Sequence, residues 1–287
     1  MPDKRGTTFG GSGRLEKQYG AAIGRIVKRI LAPIRPEQSL EEWLQSIAER
    51  SQAADVQEAS NLLAQQMVRW ASIRNARSWR EAAAKSQRSR ELYRLLQHEM
   101  QGPVGIQVQR LIQDNAGYIS SVPLDAARVL VDEVTRAQQA GARASTISKM
   151  LKTRFPQLLK SRVMLISRTE SSKASLALTA ARCSELNIEF AQWLTSDDQR
   201  VRTSHKLMNK TIFAWNDLPS PEHLAGEKSN LGAYGPGGCP NCRCVVAPVL
   251  SVHDLHFPAK VYRSGSITHM NKQQFLAAFS SSKSLAA

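Results

Sequence analysis

Apolar residues recur at helical spacing through most of the first 160 positions. Trp43, Leu44, Ile47, Ala48, Leu62, Leu63, Met67 and Trp70 form one such series, and Ser39 followed by Glu42 gives it a capping-box start. Gly and Pro are absent from 37 to 101, so this stretch predicts long helices that Gly102-Pro103 closes. An earlier, shorter basic helix is expected over 15 to 30, carrying Arg25, Lys28 and Arg29 and ended by Pro33 and Pro36. Further helices are expected at 123 to 140, 143 to 152 and 157 to 186, with Pro123 in a first turn and Gly141 as a C-terminal cap.

After Leu186 the period changes. Ile188 to Leu194 alternates apolar and polar residues in the manner of a half-buried strand, and residues 213 to 215 and 244 to 250 are two more candidates. Between them, residues 216 to 241 hold four Pro and five Gly, which excludes regular structure. The expected fold class is therefore mainly α, a long helical N-terminal region followed by a small α+β C-terminal domain. The expected organisation is a flexible arm over 1 to 13 and a basic helical region over 14 to 120. A domain of helices and strands follows over 121 to 255, its α+β part beginning near 160, and then a tail over 256 to 287 whose "SSSKSLAA" end frays.

Composition adds a partner class. The 287 residues are 42% hydrophobic and 22% charged, values of a globular protein, and no apolar run reaches the ~18 residues that cross a bilayer. The polar, Gly-rich start is not a secretory signal, so a reducing compartment is expected. A net charge of +15, from 39 basic and 24 acidic residues, points to a polyanion, nucleic acid above all. Eight basic residues fall between Arg69 and Arg94: Arg69, Arg74, Arg77, Arg80, Lys85, Arg88, Arg90 and Arg94. Arginine forks phosphate oxygens in a plane, so this stretch is the candidate DNA-binding surface, by backbone contact without base readout. It also reads as a solvated helix face.

"GPGGCPNCRC", residues 235 to 244, packs three of four cysteines into six positions. Cys239 and Cys242 have the spacing that lets two thiolates reach one Zn²⁺ from a tight turn, and Cys244 could be a third ligand. His205, His223 or Cys183 could be a fourth. A thioredoxin-like pair would need a helix after the turn, where a strand is expected, and a disulfide suits the compartment poorly. The alternative to a metal is a turn whose thiols pack as small apolar groups.

Ahead of this cluster stands "ISRTESSKASLALTAARCSELNIEFAQWLTSDDQRVRTSHKLMNK". Its order is Arg-Thr-Glu on a helix, an aromatic strand and Asp-x-Arg-Val-Arg-x-x-His; a Gly/Pro loop and Asn-Cys-Arg-Cys follow it. Over roughly residues 120 to 250 this resembles the tailed-phage head morphogenesis family, the minor head proteins typified by the F protein of phage Mu. Arg168, Thr169, Glu170, Asp198, Arg200, Arg202, His205, Asn241, Cys242, Arg243 and Cys244 stand at the motif positions. The resemblance implies a minor virion component, non-enzymatic, associated with the portal and needed for head assembly, with DNA contact. It implies residence in the capsid interior or at the portal vertex, and in the host cytoplasm during assembly. Family members often carry a His shortly before Asn-Cys-Arg-Cys; here Cys239-Pro240 stands there, which keeps ligation with a softer donor.

Arg168 and Glu170 lie two apart on a helix and do not face each other. They are expected to join Asp198, Arg200 and Arg202 in a polar network that pins the loop to the helix. The competing chemistry is a metal-dependent nuclease using His205, Asn209, His223 and the cysteine cluster. A further one is nucleotide transfer through Arg168, Thr169 and Glu170.

Overall fold

The computed structural model describes residues 9–31, 38–85 and 89–279. The expected Pro33 and Pro36 stops, Arg88, most of the N-terminal arm and the "SSSKSLAA" end lie outside the described residues. Six long or medium helices come first: α1 (Gly13–Ile30), α2 (Leu40–Gln52), α3 (Ala54–Lys85), α4 (Ser89–His98), α5 (Pro103–Gln139) and α6 (Ala144–Glu185). Then follow β1 (Phe190–Leu194), α7 (Thr203–Met208), β2 (Ile212–Ala214), α8 (Pro221–Leu224), β3 (Val245–Pro248), β4 (Ala259–Arg263), β5 (Ser266–Met270) and α9 (Lys272–Ala278). The mainly α chain with a small α+β C-terminal part is thus as the sequence predicts.

The chain forms two compact units, one of Gly13–Arg69 and Arg110–Glu170, the other of Met1–Ser12, Trp70–Gln109 and Ser171–Ala287. Among the described residues, the regular elements of the first are all helices. The expected capping box starts α2, with the Glu42 amide donating to Ser39 Oγ at 3.1 Å and the Ser39 amide to Glu42 Oε2 at 2.8 Å. Tyr19, Ile23, Ile30, Trp43, Ile47, Ile119 and Leu130 fill its core. Trp43 meets Phe155 edge-on at 5.0 Å, and the Tyr19 hydroxyl donates to Asn115 Oδ1 at 2.9 Å. Burial, then the neighbouring Glu170, drives the Tyr19 pKa well up.

Two helix boundaries differ from expectation. Pro123 lies inside α5 and Pro156 inside α6, where a start and a break are expected. An interior proline costs ~3 kcal/mol. In α5 Ile119, Val122, Ala126, Ala127, Leu130 and Val134 continue one buried stripe across Pro123, which outweighs that cost. Gly141 does cap α5: at φ +77° it lets the Ala142 amide bond Ala137 O and its own amide bond Gln138 O, both at 2.9 Å.

The second unit is built on a five-stranded sheet of order β3-β1-β2-β4-β5, antiparallel throughout except for the β2–β4 pair. Trp193 pairs with Val246, and Gln192 with both Ile212 and Ala247. One core contains Trp79, Leu92, Cys183, Ala191, Trp193, Phe213, Tyr234 and Val246 together with Cys239, Cys242 and Cys244. A second core joins Phe190, Ile212 and Val261 to Phe275 of α9.

The expected tail from 256 needs correction. Residues 259 to 278 complete the sheet and cover it. The physical reason is a hairpin: Ser264 and Gly265 both have positive φ, +46° and +87°, which matches a two-residue turn to the twist of β4 and β5. Asn271 and Gln274 then form a capping box that starts α9.

Beside the sheet, Arg182 of α6 is fully buried and forks Glu99 at 2.7 and 2.8 Å. Its remaining nitrogen donates to Asn75 Oδ1, and Asn75 donates in turn to Thr179 Oγ1 at 2.8 Å.

Candidate metal centre

The short α7 helix, between β1 and β2, holds His205 against the sheet. The Lys210 amide donates to Trp193 O at 2.7 Å and the Trp193 amide to Thr211 O at 2.8 Å, so the segment returns tightly to β1. Asn209 Oδ1 accepts the Thr195 amide at 3.1 Å and closes the loop from the other side. His205 is 2% exposed, edge-on to Trp193 at 5.3 Å between ring centroids.

The Gly/Pro loop brings the cysteines to that ring. Asn241, at φ +58°, turns the chain between Cys239 and Cys242. Gly237, at φ +90°, passes close to Ser172 of α6, and the Ser172 hydroxyl donates to Cys242 O at 3.4 Å. His205 Nδ1 lies 3.4 Å from Cys244 Sγ and 3.5 Å from Cys242 Sγ, and Nε2 lies 3.8 Å from Cys239 Sγ. One donor atom each from His205, Cys239 and Cys242 falls within 4.8 Å of the others, all three residues buried, a grouping that could hold a metal ion.

Donors surround the sulfurs. Arg202 Nη1 stands 2.8 Å from Cys239 Sγ while Nη2 donates to Pro240 O at 2.9 Å, and the Gly237 amide donates to Cys242 Sγ at 3.3 Å. The Cys242–Cys244 hydrogen bond, against burial, holds the Cys244 thiol below its ordinary pKa. Cys239 is pushed up to about 12, first by its hydrogen bond to Cys242 and then by burial. Burial disfavours a charged His205, but hydrogen bonds with Cys239 and Cys242 outweigh it and raise the ring to about 9.

Behind the ring lie two residues that sequence reasoning missed. The Tyr234 hydroxyl is 2.9 Å from His205 Nε2 and donates to Glu222 at 2.6 and 2.7 Å. Burial, then the Glu222 hydrogen bond, drives the Tyr234 pKa far up. Tyr234 is the lone aromatic of the Gly/Pro loop and Glu222 directly follows Pro221, the only hints the sequence carries.

The motif pieces converge in part. Asp198 pairs with Arg243 at 2.7 Å and accepts the Arg200 amide at 2.9 Å, while the Arg200 side chain reaches only 3.9 Å. Arg202 serves Cys239. Arg168 and Glu170 belong to the other unit, where Arg168 pairs with Glu16 at 3.6 Å and Glu170 is buried. Of the other ligand candidates, His223 is exposed on α8, and Cys183 is buried in the core with its thiol pKa driven well up by burial. Arg74, Arg77, Arg80, Lys85, Arg90 and Arg94 of α3 and α4 are all exposed in the second unit, and Arg69 is exposed in the first. Trp79 is buried in the core beside Phe9 at 4.9 Å, and Trp70 is 36% exposed.

The segment that builds this cluster is similar to a known family. Residues 128–247, from within α5 to within β3, match the family described as phage Mu protein F like protein. That segment is similar to this phage family, the resemblance its motifs suggest. An uncharacterised protein of Haemophilus influenzae is 32% identical over 154 residues, covering 52% of this chain and 31% of that protein. The chain therefore spans about a third of that relative's length. No solved structure matches.

Proposed function

We propose that this protein is a minor structural component of a tailed-phage head, acting in capsid assembly and DNA packaging at the portal. The observation that carries the reading is the phage Mu F-like segment over 128–247, which contains the whole His205 cluster and its supports. Partners are portal and head proteins, and the site of action is the capsid interior or portal vertex. The exposed arginines of α3 and α4 supply DNA contact through phosphates, which positions without reading sequence. The cluster serves shape: a Zn²⁺ held by His205 and the cysteines fastens the Gly/Pro loop to α7, adding folding free energy that a loop of this composition otherwise lacks.

The competing nuclease draws no support from the geometry. His205 is buried with both ring nitrogens engaged by sulfur or Tyr234, leaving no open face for water or a phosphodiester. Deletion of the gene from its phage tests the proposal. Lysates are expected to contain empty or aberrant heads with normal tails; a normal yield of DNA-filled heads would overturn it. Metal-dependent plasmid cleavage that disappears in His205→Ala would favour the nuclease instead.

A further inference from the structure

A cleft of about 900 Å³ opens beside the sheet, and none of the His205 cluster lines it. All five strands and the 249–258 segment contribute to it, within the second unit. Its polar side chains are ammonium or imidazole groups except for Gln192 and Asp254. Lys85, Lys210 and Lys260 stand there with His253, His256 and His269, half of the chain's six histidines. Asp254 is already engaged: its Oδ2 accepts the Ser251 amide at 3.1 Å in the capping box of the Val252–Asp254 turn. Among the described residues, no ion pair takes up any of the three lysines.

The backbone fixes where these cations start. The Lys210 amide donates to Trp193 O at 2.7 Å, and its carbonyl accepts Gln192 Nε2 at 3.0 Å. Lys260 and His269 are paired across the β4–β5 ladder, so their side chains leave the same face. Lys260 Nζ donates to Leu207 O at 2.9 Å and keeps two protons for a ligand. Three lysines without a counter-charge around one cleft call for an anion.

The rest of the lining separates one kind of anion from another. Nucleic acid is gripped by arginine forks on its phosphates and by exposed aromatic rings under its bases. The described lining has no arginine, and its one Phe, Tyr or Trp is Phe9, which is 3% exposed. What it offers beside the cations is aliphatic and half-buried: Leu194, Val249, Leu250 and Leu255. A chain that alternates carboxylates with aliphatic side chains matches both. A second copy of this protein, at net +15, has the wrong sign.

We propose that this cleft is the docking site for an acidic, aliphatic-rich segment of a partner protein. Its carboxylates meet Lys85, Lys210 and Lys260, and its apolar side chains lie on Leu194, Val249, Leu250 and Leu255. The inference does not depend on the head-protein reading, and its failure would leave that reading standing.

The test uses the full chain and a short fluorescein-labelled peptide in which Glu alternates with Leu. Anisotropy should show saturable binding that weakens with salt, and no binding would overturn the proposal. Peptides with Gln for every Glu, or Ser for every Leu, should each bind about 10-fold more weakly. Parity of either with the parent peptide would overturn it. A water-soluble carbodiimide then joins bound carboxylates to neighbouring lysine amines as amides, itself taking up the released water as a urea. Mapping should find these links at Lys85, Lys210 and Lys260 rather than at Lys152 and Lys160, which are exposed on α6 in the first unit. Links spread evenly over all five would mean undirected attraction and sink the site. Lys210→Glu with Lys260→Glu should weaken binding about 10-fold, and Lys152→Glu with Lys160→Glu less than ~2-fold. Mapping on the unaltered chain decides the point should the first pair not fold. A single-stranded oligodeoxynucleotide that suppresses the links at lower concentration than unlabelled peptide would assign the cleft to nucleic acid and overturn the proposal.

Discussion

Single residues around His205 separate ligation from support. Cys183 shares the buried core with the cluster, but the sulfurs that meet the His205 ring are those of Cys239, Cys242 and Cys244. Cys183→Ala should therefore leave zinc content unchanged and lower the melting temperature slightly, both readable in one preparation. Acid should strip the ion as thiolates and imidazole take up protons, and a metal-sensitive dye would follow its release. Asp198 is held below the ordinary aspartate range, first by the Arg200 amide and then, against some burial, by Arg243. Its hold on Arg243 is thus fully present at neutral pH and is lost as pH falls through its depressed value. Limited proteolysis should find the 195–202 loop cut faster in Asp198→Asn at neutral pH, with the difference from the parent chain vanishing in acid. Three of the sulfur-side groups, Cys239, Cys242 and Cys244, are legible from spacing, and His205 from the Asp-x-Arg-Val-Arg-x-x-His order. Tyr234 and Glu222 are not: they reach His205 from 29 and 17 positions away in a loop without period, so only the folded path of that loop brings them in.

Helices and strands show the same division between local signal and tertiary outcome. The capping box at Ser39, the Gly141 cap and the three strands from 190 to 248 follow from neighbouring residues, and the sequence shows them. Pro123 misleads because the buried stripe along α5 outweighs the local cost of a proline, and α6 likewise runs on through Pro156. The β4–β5 hairpin escapes notice because its strands are five residues each and its Ser-Gly turn is a weaker hairpin signal than Asn-Gly or Asp-Gly. Phe275 gives that addition its weight: it is fully buried and packs on Phe190 at 5.4 Å and Phe279 at 5.0 Å. Phe275→Ala should cost ~3–5 kcal/mol in chemical denaturation, a size that excludes a loosely attached tail. Beside the sheet, Glu99→Gln leaves the Arg182 guanidinium buried without its counter-charge, a loss of ~3–5 kcal/mol. Adding Arg182→Met should recover much of that loss, the signature of a coupled pair.

Across the whole chain, charge and connectivity matter more than any one interaction. The two units are each assembled from separated stretches, since α3, α5 and α6 contribute residues to both. Hydrophobic period reports which face of a helix is buried but not in which unit, so this division is invisible in the sequence. Exposed Arg74, Arg77 and Arg80 concentrate positive charge on one helix of the second unit. Binding to duplex DNA should weaken steeply between about 50 and 200 mM salt, and every Arg→Glu change that frees one phosphate should flatten the log–log slope by about 0.9. The head-protein account itself is tested most directly by quantitative mass spectrometry of gradient-purified particles from the encoding phage. The account predicts that peptides of this chain band with the heads, far below the major capsid protein in copy number and above background. Their absence from particles that contain portal and DNA would contradict it.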